Sequence, residues 1–133
     1  MTVFSTIHLV DAIANQEPEV CLASGDYPLV AQLNLTRSIR LTAVEPGGVR
    51  IDARGSEAVP RRVMRVWKGA TVVLTGLVLT GGWAPKASKR LGWRGGGIYN
   101  EGELTLDRCE VANNRASAGA GPAGGGVLCT ELS

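Results

Sequence analysis

Residues 66–82 (VWKGATVVLTGLVLTGG) slide onto residues 98–114 (IYNEGELTLDRCEVANN) at a shift of 32, without a gap, and apolar positions fall on apolar positions. Val66 meets Ile98, Trp67 meets Tyr99, Val72 meets Leu104, Leu74 meets Leu106, Leu77 meets Cys109 and Leu79 meets Val111. A fixed period of this size means that one supersecondary unit is stacked on itself, and it predicts a solenoid. An earlier coil joins at a shift of 33, with Leu33 on Val66, Ile39 on Val72 and Leu41 on Leu74. An insertion at Glu45, Pro46 and Gly47 then brings Val49 and Ile51 onto Leu77 and Leu79.

The 133 residues suffice for one core and are too few for two. Eighteen glycines suit tight turns around a narrow interior of Val, Leu, Ile and Ala. A formal charge of +2 gives no whole-protein field that would favour nucleic acid or a membrane surface. Three cysteines, Cys21, Cys109 and Cys129, have no C-x-x-C spacing and read as free thiols rather than a zinc site or a paired framework. The opening MTVFSTIHLVDA has neither a basic leader nor an apolar run long enough for a signal peptide or a span.

Residues 5–16 predict a helix, started by Ser5 or Thr6, that caps the first coil. His8, the one histidine, lies on it without another ligand nearby in sequence, so it reads as structural. From Glu19 the period changes to two, and short strands separated by Gly, Pro and Asn turns occupy 19–133. Residues 53–63 and 83–95 are basic, contain prolines and are expected to leave the coil as surface loops. GGGV at 124–127 repeats GGGI at 95–98, after which the last coil stops short. Val127, Leu128, Cys129 and Leu132 are therefore expected on an unpaired edge that would bury itself in a homodimer.

The phrase GGGIYNEGELTLDRCEVANN, its echo GGGV, and the preceding VCLASGDYP and SIRLTAVEPGGVRID resemble the right-handed parallel β-helix superfamily that includes pectate lyases. The Gly-Gly-Gly-Ile-x-Asn phrase is similar to repeats of polymorphic outer-membrane proteins and related surface passenger domains. The resemblance implies an all-β fold, a short right-handed parallel β-helix of three to four coils with an N-terminal cap, at the cell surface or outside the cell. It also implies that Asn100 points inward as a rung of an amide ladder, with Lys68 and Cys129 at the matching places in neighbouring coils. The superfamily contains lyases, hydrolases, adhesins and structural modules, so the coil does not name a function.

For a polysaccharide lyase the resemblance implies calcium held by clustered acids on one sheet, with an Arg or Lys as base, so acids would line up on consecutive coils; no acid stacks on an acid here. With Leu104 and Leu106 inward, Glu103, Thr105 and Asp107 face out, above Thr71, Val73 and Thr75 and above Ser38, Arg40 and Thr42. Glu103 and Asp107 are on the order of 13 Å apart along a strand, beyond the ~5–9.5 Å of a glycosidase pair. Arg50, Val78 and Glu110 stack on another face as ordinary surface. No catalytic residue, metal site or cofactor is assigned. Trp67 and Tyr99 are expected to face outward one rung apart, beside a loop carrying Trp83, Arg90, Trp93 and Arg94. Such a set suits a glycan or an acidic polysaccharide, or else closes on itself as an apolar cluster. The leading reading is a non-catalytic structural or adhesin-type module. The rival is a polysaccharide-active enzyme or a fragment of one.

Overall fold

The computed structural model describes residues 1–56, 58–83, 96–114 and the main chain of 127–129. Alternation of apolar and polar residues produces short strands: in β5 (Ile39–Ala43) Ile39, Leu41 and Ala43 are buried while Arg40 is exposed. The same pattern marks β8 (Thr71–Thr75), where Val72 and Leu74 are buried. The strands assemble into three sheets, and every pairing is parallel.

Sheet A runs β1 (Thr2–Val3), β2 (Glu19–Leu22), β5, β8 and β11 (Glu103–Asp107). Sheet B runs β3 (Gly25–Pro28), β6 (Val49–Asp52), β9 (Leu77–Thr80) and β12 (Glu110–Val111). Sheet C runs β4 (Leu33–Leu35), β7 (Met64–Val66), β10 (Ile98–Asn100) and β13 (Val127–Cys129). From β2 onward the chain visits A, B and C in turn, so each strand pairs with the strand three elements later. Side chains from all three sheets meet in one core, with Val20, Leu22, Leu41, Val49, Ile51, Val66, Leu74, Leu77 and Leu79 fully enclosed.

In sheets A and B the repeat keeps the register read from the sequence. Ile39, Val72 and Leu104 stack, as do Leu41, Leu74 and Leu106, and Arg50, Val78 and Glu110. Val49 pairs with Leu77 and Ile51 with Leu79 as expected, but residues 43–48 stand where the next coil has Gly76 alone, so the insertion at this corner is five residues long and extends beyond 45–47. Glu103, Thr105 and Asp107 are exposed as expected. Leu106, however, is 39% exposed although it shares its register with fully buried Leu74. Strand β11 is the outermost strand of sheet A among the described residues, so one side of Leu106 has no neighbouring strand to cover it.

Sheet C departs from the expected register by two residues. Ile98 pairs with Met64, Tyr99 with Arg65 and Asn100 with Val66, while Leu33 pairs with Met64 rather than Val66. The cause lies in the turn from sheet C to sheet A. Leu35 to Ile39 and Asn100 to Leu104 span equivalent positions with one length, whereas Val66 to Val72 needs two further residues, and Trp67–Lys68 supply them. Gly102 lies under that longer turn, where a Cβ would meet the carbonyls of Ala70 and Trp67.

Helix α1 (Thr6–Ala14) forms within the predicted span, with Ser5 as N-cap: its side chain accepts from the His8 amide at 3.2 Å. Leu9 and Ala12 reach the core. The far end is tied down by Arg37, which donates from Nη2 to the Ile13 carbonyl at 2.7 Å and from Nη1 to the Glu17 carbonyl at 2.8 Å. Strand β1, which precedes the helix and pairs with β2, is too short to have left an alternation in the sequence. His8 stacks on Phe4 at 6.3 Å between centroids. Among the described residues no helix is long and apolar enough to cross a membrane.

The first basic loop stays closer to the coil than its composition suggested. Ala53 and Val63 are fully buried, and Arg61 donates from Nη1 to the carbonyls of Ala53 at 2.7 Å and Leu29 at 3.2 Å. These carbonyls leave a sheet at a corner and need a donor, which the guanidinium supplies.

Candidate functional site

Alternation in β7 and β10 turns Met64, Val66 and Ile98 into the core and presents Arg65 and Tyr99 on the outer face of sheet C. Since Tyr99 pairs with Arg65, the long guanidinium arm and the phenol ring lie side by side. The Arg65 guanidinium carbon lies 3.7 Å from the Trp67 ring centroid and 5.1 Å from that of Tyr99. Arg62 covers Tyr99 at 5.0 Å. The result is an alternating stack of ring and cation, Trp67, Arg65, Tyr99, Arg62, in which each cation meets the electron-rich face of a ring.

Glu101 fixes the centre of this stack. Arg65 donates from Nε to Glu101 Oε1 at 2.6 Å, and Nη2 lies 2.5 Å from the same oxygen. Both side chains are about three-quarters shielded, with 23% and 24% exposed. Arg62 is buried, and removal from water pulls its pKa down; proximity to Tyr99 opposes this, and the like charge of Arg65 adds to it.

The two aromatic residues expected to act together are thus brought together, though not as a flat ladder one rung apart. Tyr99 is 2% exposed because Arg62 and Arg65 cover it, while Trp67 lies in the longer turn and keeps 37% of its surface open. Trp67 Nε1 donates to Asn34 Oδ1 at 3.4 Å, and Gln32 Nε2 donates to the same oxygen at 2.7 Å. Trp83 is half-buried and is held through its main-chain N–H, which donates to the Arg61 carbonyl at 2.7 Å. Its indole Nε1 is enclosed without a hydrogen-bond partner among the described residues. Arg90, Trp93, Arg94 and Leu132 lie outside the described residues. Val127, Leu128 and Cys129 form β13, which pairs with β10 and is the outermost strand of sheet C described.

Asn100 is buried, as the resemblance implied, and its Oδ1 accepts from the Gly102 amide at 3.0 Å. Its neighbours in the stack are Val66 and Cys129. Lys68 is displaced from the matching place by the two-residue lengthening and is exposed in the turn. Cys21 and Cys109 are free and half-buried. Among the described residues no three or more His, Cys, Asp or Glu side chains gather where a metal ion would be held.

Arg62, Arg65, Glu101, Asn34 and Gln32 were not singled out from the sequence. The equivalence of Arg65 and Tyr99 becomes visible only after the turn at 67–68 is recognised as longer than its neighbours. Asn34, on the rung below, had no alignment partner of its own chemistry.

No family model matches the chain, and no curated protein matches it in sequence. Among solved structures, an alginate lyase of the PL6 family superposes with a TM-score of 0.59 at 22% identity, over 82% of this chain. The shared feature is the fold. The match occupies 15% of the lyase's length, so the chain corresponds to a small part of that protein.

Proposed function

We propose that the chain is a non-catalytic module of a right-handed β-helix, of structural or adhesin type, whose sheet C face contacts glycans. The observation that carries this reading is Trp67: an indole left 37% exposed, held by a guanidinium on its ring and a side-chain amide at its Nε1. A rigid aromatic surface bordered by amides suits the mixed apolar and hydroxyl character of a sugar. The hand of the coil follows the strong preference of parallel strand crossovers. A place outside the cell or on its surface, and association of two copies through the β13 edge, belong to the same reading. The test is binding of the chain to immobilised oligosaccharides, compared with Trp67→Ala after circular dichroism has verified the fold. Loss of binding in the variant supports the reading, and unchanged binding overturns it.

A second reading is favoured by the likeness to an alginate lyase, namely that the chain is a polysaccharide-active enzyme or part of one. Appearance of ultraviolet-absorbing unsaturated products on alginate or pectin, dependent on calcium, would establish it and displace the first.

A further inference from the structure

Between α1 and β4 lies a cavity of about 420 Å³, within the range of small-molecule sites. One wall is aliphatic, with Val10 and Ile13 from the helix and Val30 from the turn before β4. The other is polar and includes Gln32 and Asn34, the same two amides that meet at the edge of Trp67. The cavity and the exposed indole are therefore parts of one surface, joined through Asn34.

The hydrogen bonds define what the polar wall offers. Asn34 Oδ1 accepts from both Gln32 Nε2 and Trp67 Nε1, which turns the Asn34 Nδ2 donors and the Gln32 Oε1 acceptor to other partners. A donor and an acceptor side by side match a hydroxyl pair, in which each group both gives and receives. The charge is equally informative. Arg37 is the one ionisable residue in the lining, and both its terminal nitrogens are occupied by main-chain carbonyls of Ile13, Glu17, Ser38 and Ala12. The nearest cation above Asn34, Arg65, is neutralised by Glu101. Nothing described in this surface is free to balance a carboxylate.

From this we infer that the cavity beside Trp67 binds an uncharged sugar unit, its C–H face on Val10 and Val30 and its hydroxyls on Asn34 and Gln32. The inference rests on the glycan reading and narrows it, because the paired cations of sheet C favour a neutral ligand over an acidic one. Its consequence is that affinity is insensitive to salt.

The experiment is a titration of the full chain, followed by amide and indole resonances, with neutral oligomers of mannose and of glucose. Oligomers of alginate and polygalacturonate are run in parallel, each at low and high salt. A neutral oligomer is expected to move the Asn34 and Gln32 side-chain amides and the Trp67 indole equally at both salt concentrations. Asn34→Ala should lower its affinity about tenfold, as for loss of one well-placed hydrogen bond and its partner's compensation. Val30 is 86% exposed, so Val30→Glu should preserve the fold and weaken binding by placing a carboxylate in the wall. Binding of acidic oligomers alone, weakened by salt, overturns this inference while leaving the glycan reading intact. Binding of neither class overturns both. A neutral sugar that moves other resonances but spares Asn34, Gln32 and Trp67 overturns the inference alone, as does an extended apolar peptide that takes the β4 edge at lower concentration than any sugar.

Discussion

Replacing Arg65 by alanine should cost about 2 kcal/mol, which exceeds what a surface arginine normally contributes. Stacking on Trp67 at 3.7 Å and, at longer range, on Tyr99 is expected to be worth about 0.5–1 kcal/mol each. The ion pair to Glu101 adds up to about 1 kcal/mol, the upper end for exposed pairs, because both side chains are mostly shielded. Arg65→Lys should recover about half of the loss, since an ammonium keeps the charge but cannot lie flat on a ring while sending two nitrogens to one carboxylate oxygen. Urea unfolding of the wild type, both variants, Glu101→Gln and the Arg65→Ala/Glu101→Gln double variant would isolate the pair as a coupling of about 1 kcal/mol. The indole resonance of Trp67 should move in Arg65→Ala and stay nearly unmoved in Glu101→Gln. A cost below about 0.5 kcal/mol for Arg65→Ala, with the Trp67 resonance unchanged, would refute the alternating stack as the element that orders this face.

Leu74→Ala and Leu106→Ala remove the same atoms from positions that share one register, but Leu74 is enclosed and Leu106 is 39% exposed. The first should cost about 2–5 kcal/mol and the second clearly less in the same urea titration; equal costs would mean that β11 is covered as fully as β8. Tyr27 is buried, its one phenolic proton donated to the Ala23 carbonyl at 2.6 Å with the Val3 carbonyl 3.1 Å away, and burial raises its pKa above the ordinary value. Its contribution is complete below about pH 10 and is lost as pH rises through the higher folded value, because the unfolded phenol ionises first. Stability measured from pH 8 to 11 should fall more steeply for the wild type than for Tyr27→Phe, and parallel curves would contradict this.

Sheets A and B were legible in the sequence because strict alternation of Val, Leu and Ile leaves one inward register for Ile39, Val72 and Leu104. Sheet C was not. Its strands are three residues long, and the segment VWKGA contains no gap signal that separates a strand residue from a turn residue. An ungapped match that is correct at Val72 and Leu104 therefore carries a two-residue error back to Trp67 and Tyr99. The candidate site bears most of this error, since the ungapped repeat sets Trp67 opposite Tyr99, where the strand pairing has Arg65. The loop Arg61–Val63 was obscured for another reason: arginine reads as solvent-facing, yet main-chain carbonyls at a coil corner recruit it inward.

The irregularity that misleads the alignment also creates the exposed indole, and this can be tested by deletion. Removing Trp67 and Lys68 leaves Gly69 and Ala70 between Val66 and Thr71, the same length as Glu101 and Gly102 between β10 and β11. The coil above already follows that shorter path, so β7 and β8 need not move relative to β10 and β11. The deletion removes the Ala70 to Trp67 turn hydrogen bond of 3.1 Å, the longer one from Trp67 Nε1 to Asn34 Oδ1, and the Trp67 ring from Arg65. It shortens a loop, which lowers closure entropy slightly, so the net loss should be about 2 kcal/mol, from two hydrogen bonds, one of them long, and one ring contact. The shortened chain should keep its far-ultraviolet circular dichroism and cooperative unfolding while losing sugar binding. Unfolding of the deletion variant, with Trp67→Ala folded, would show that residues 67–68 space the coils rather than furnish a surface carried upon them.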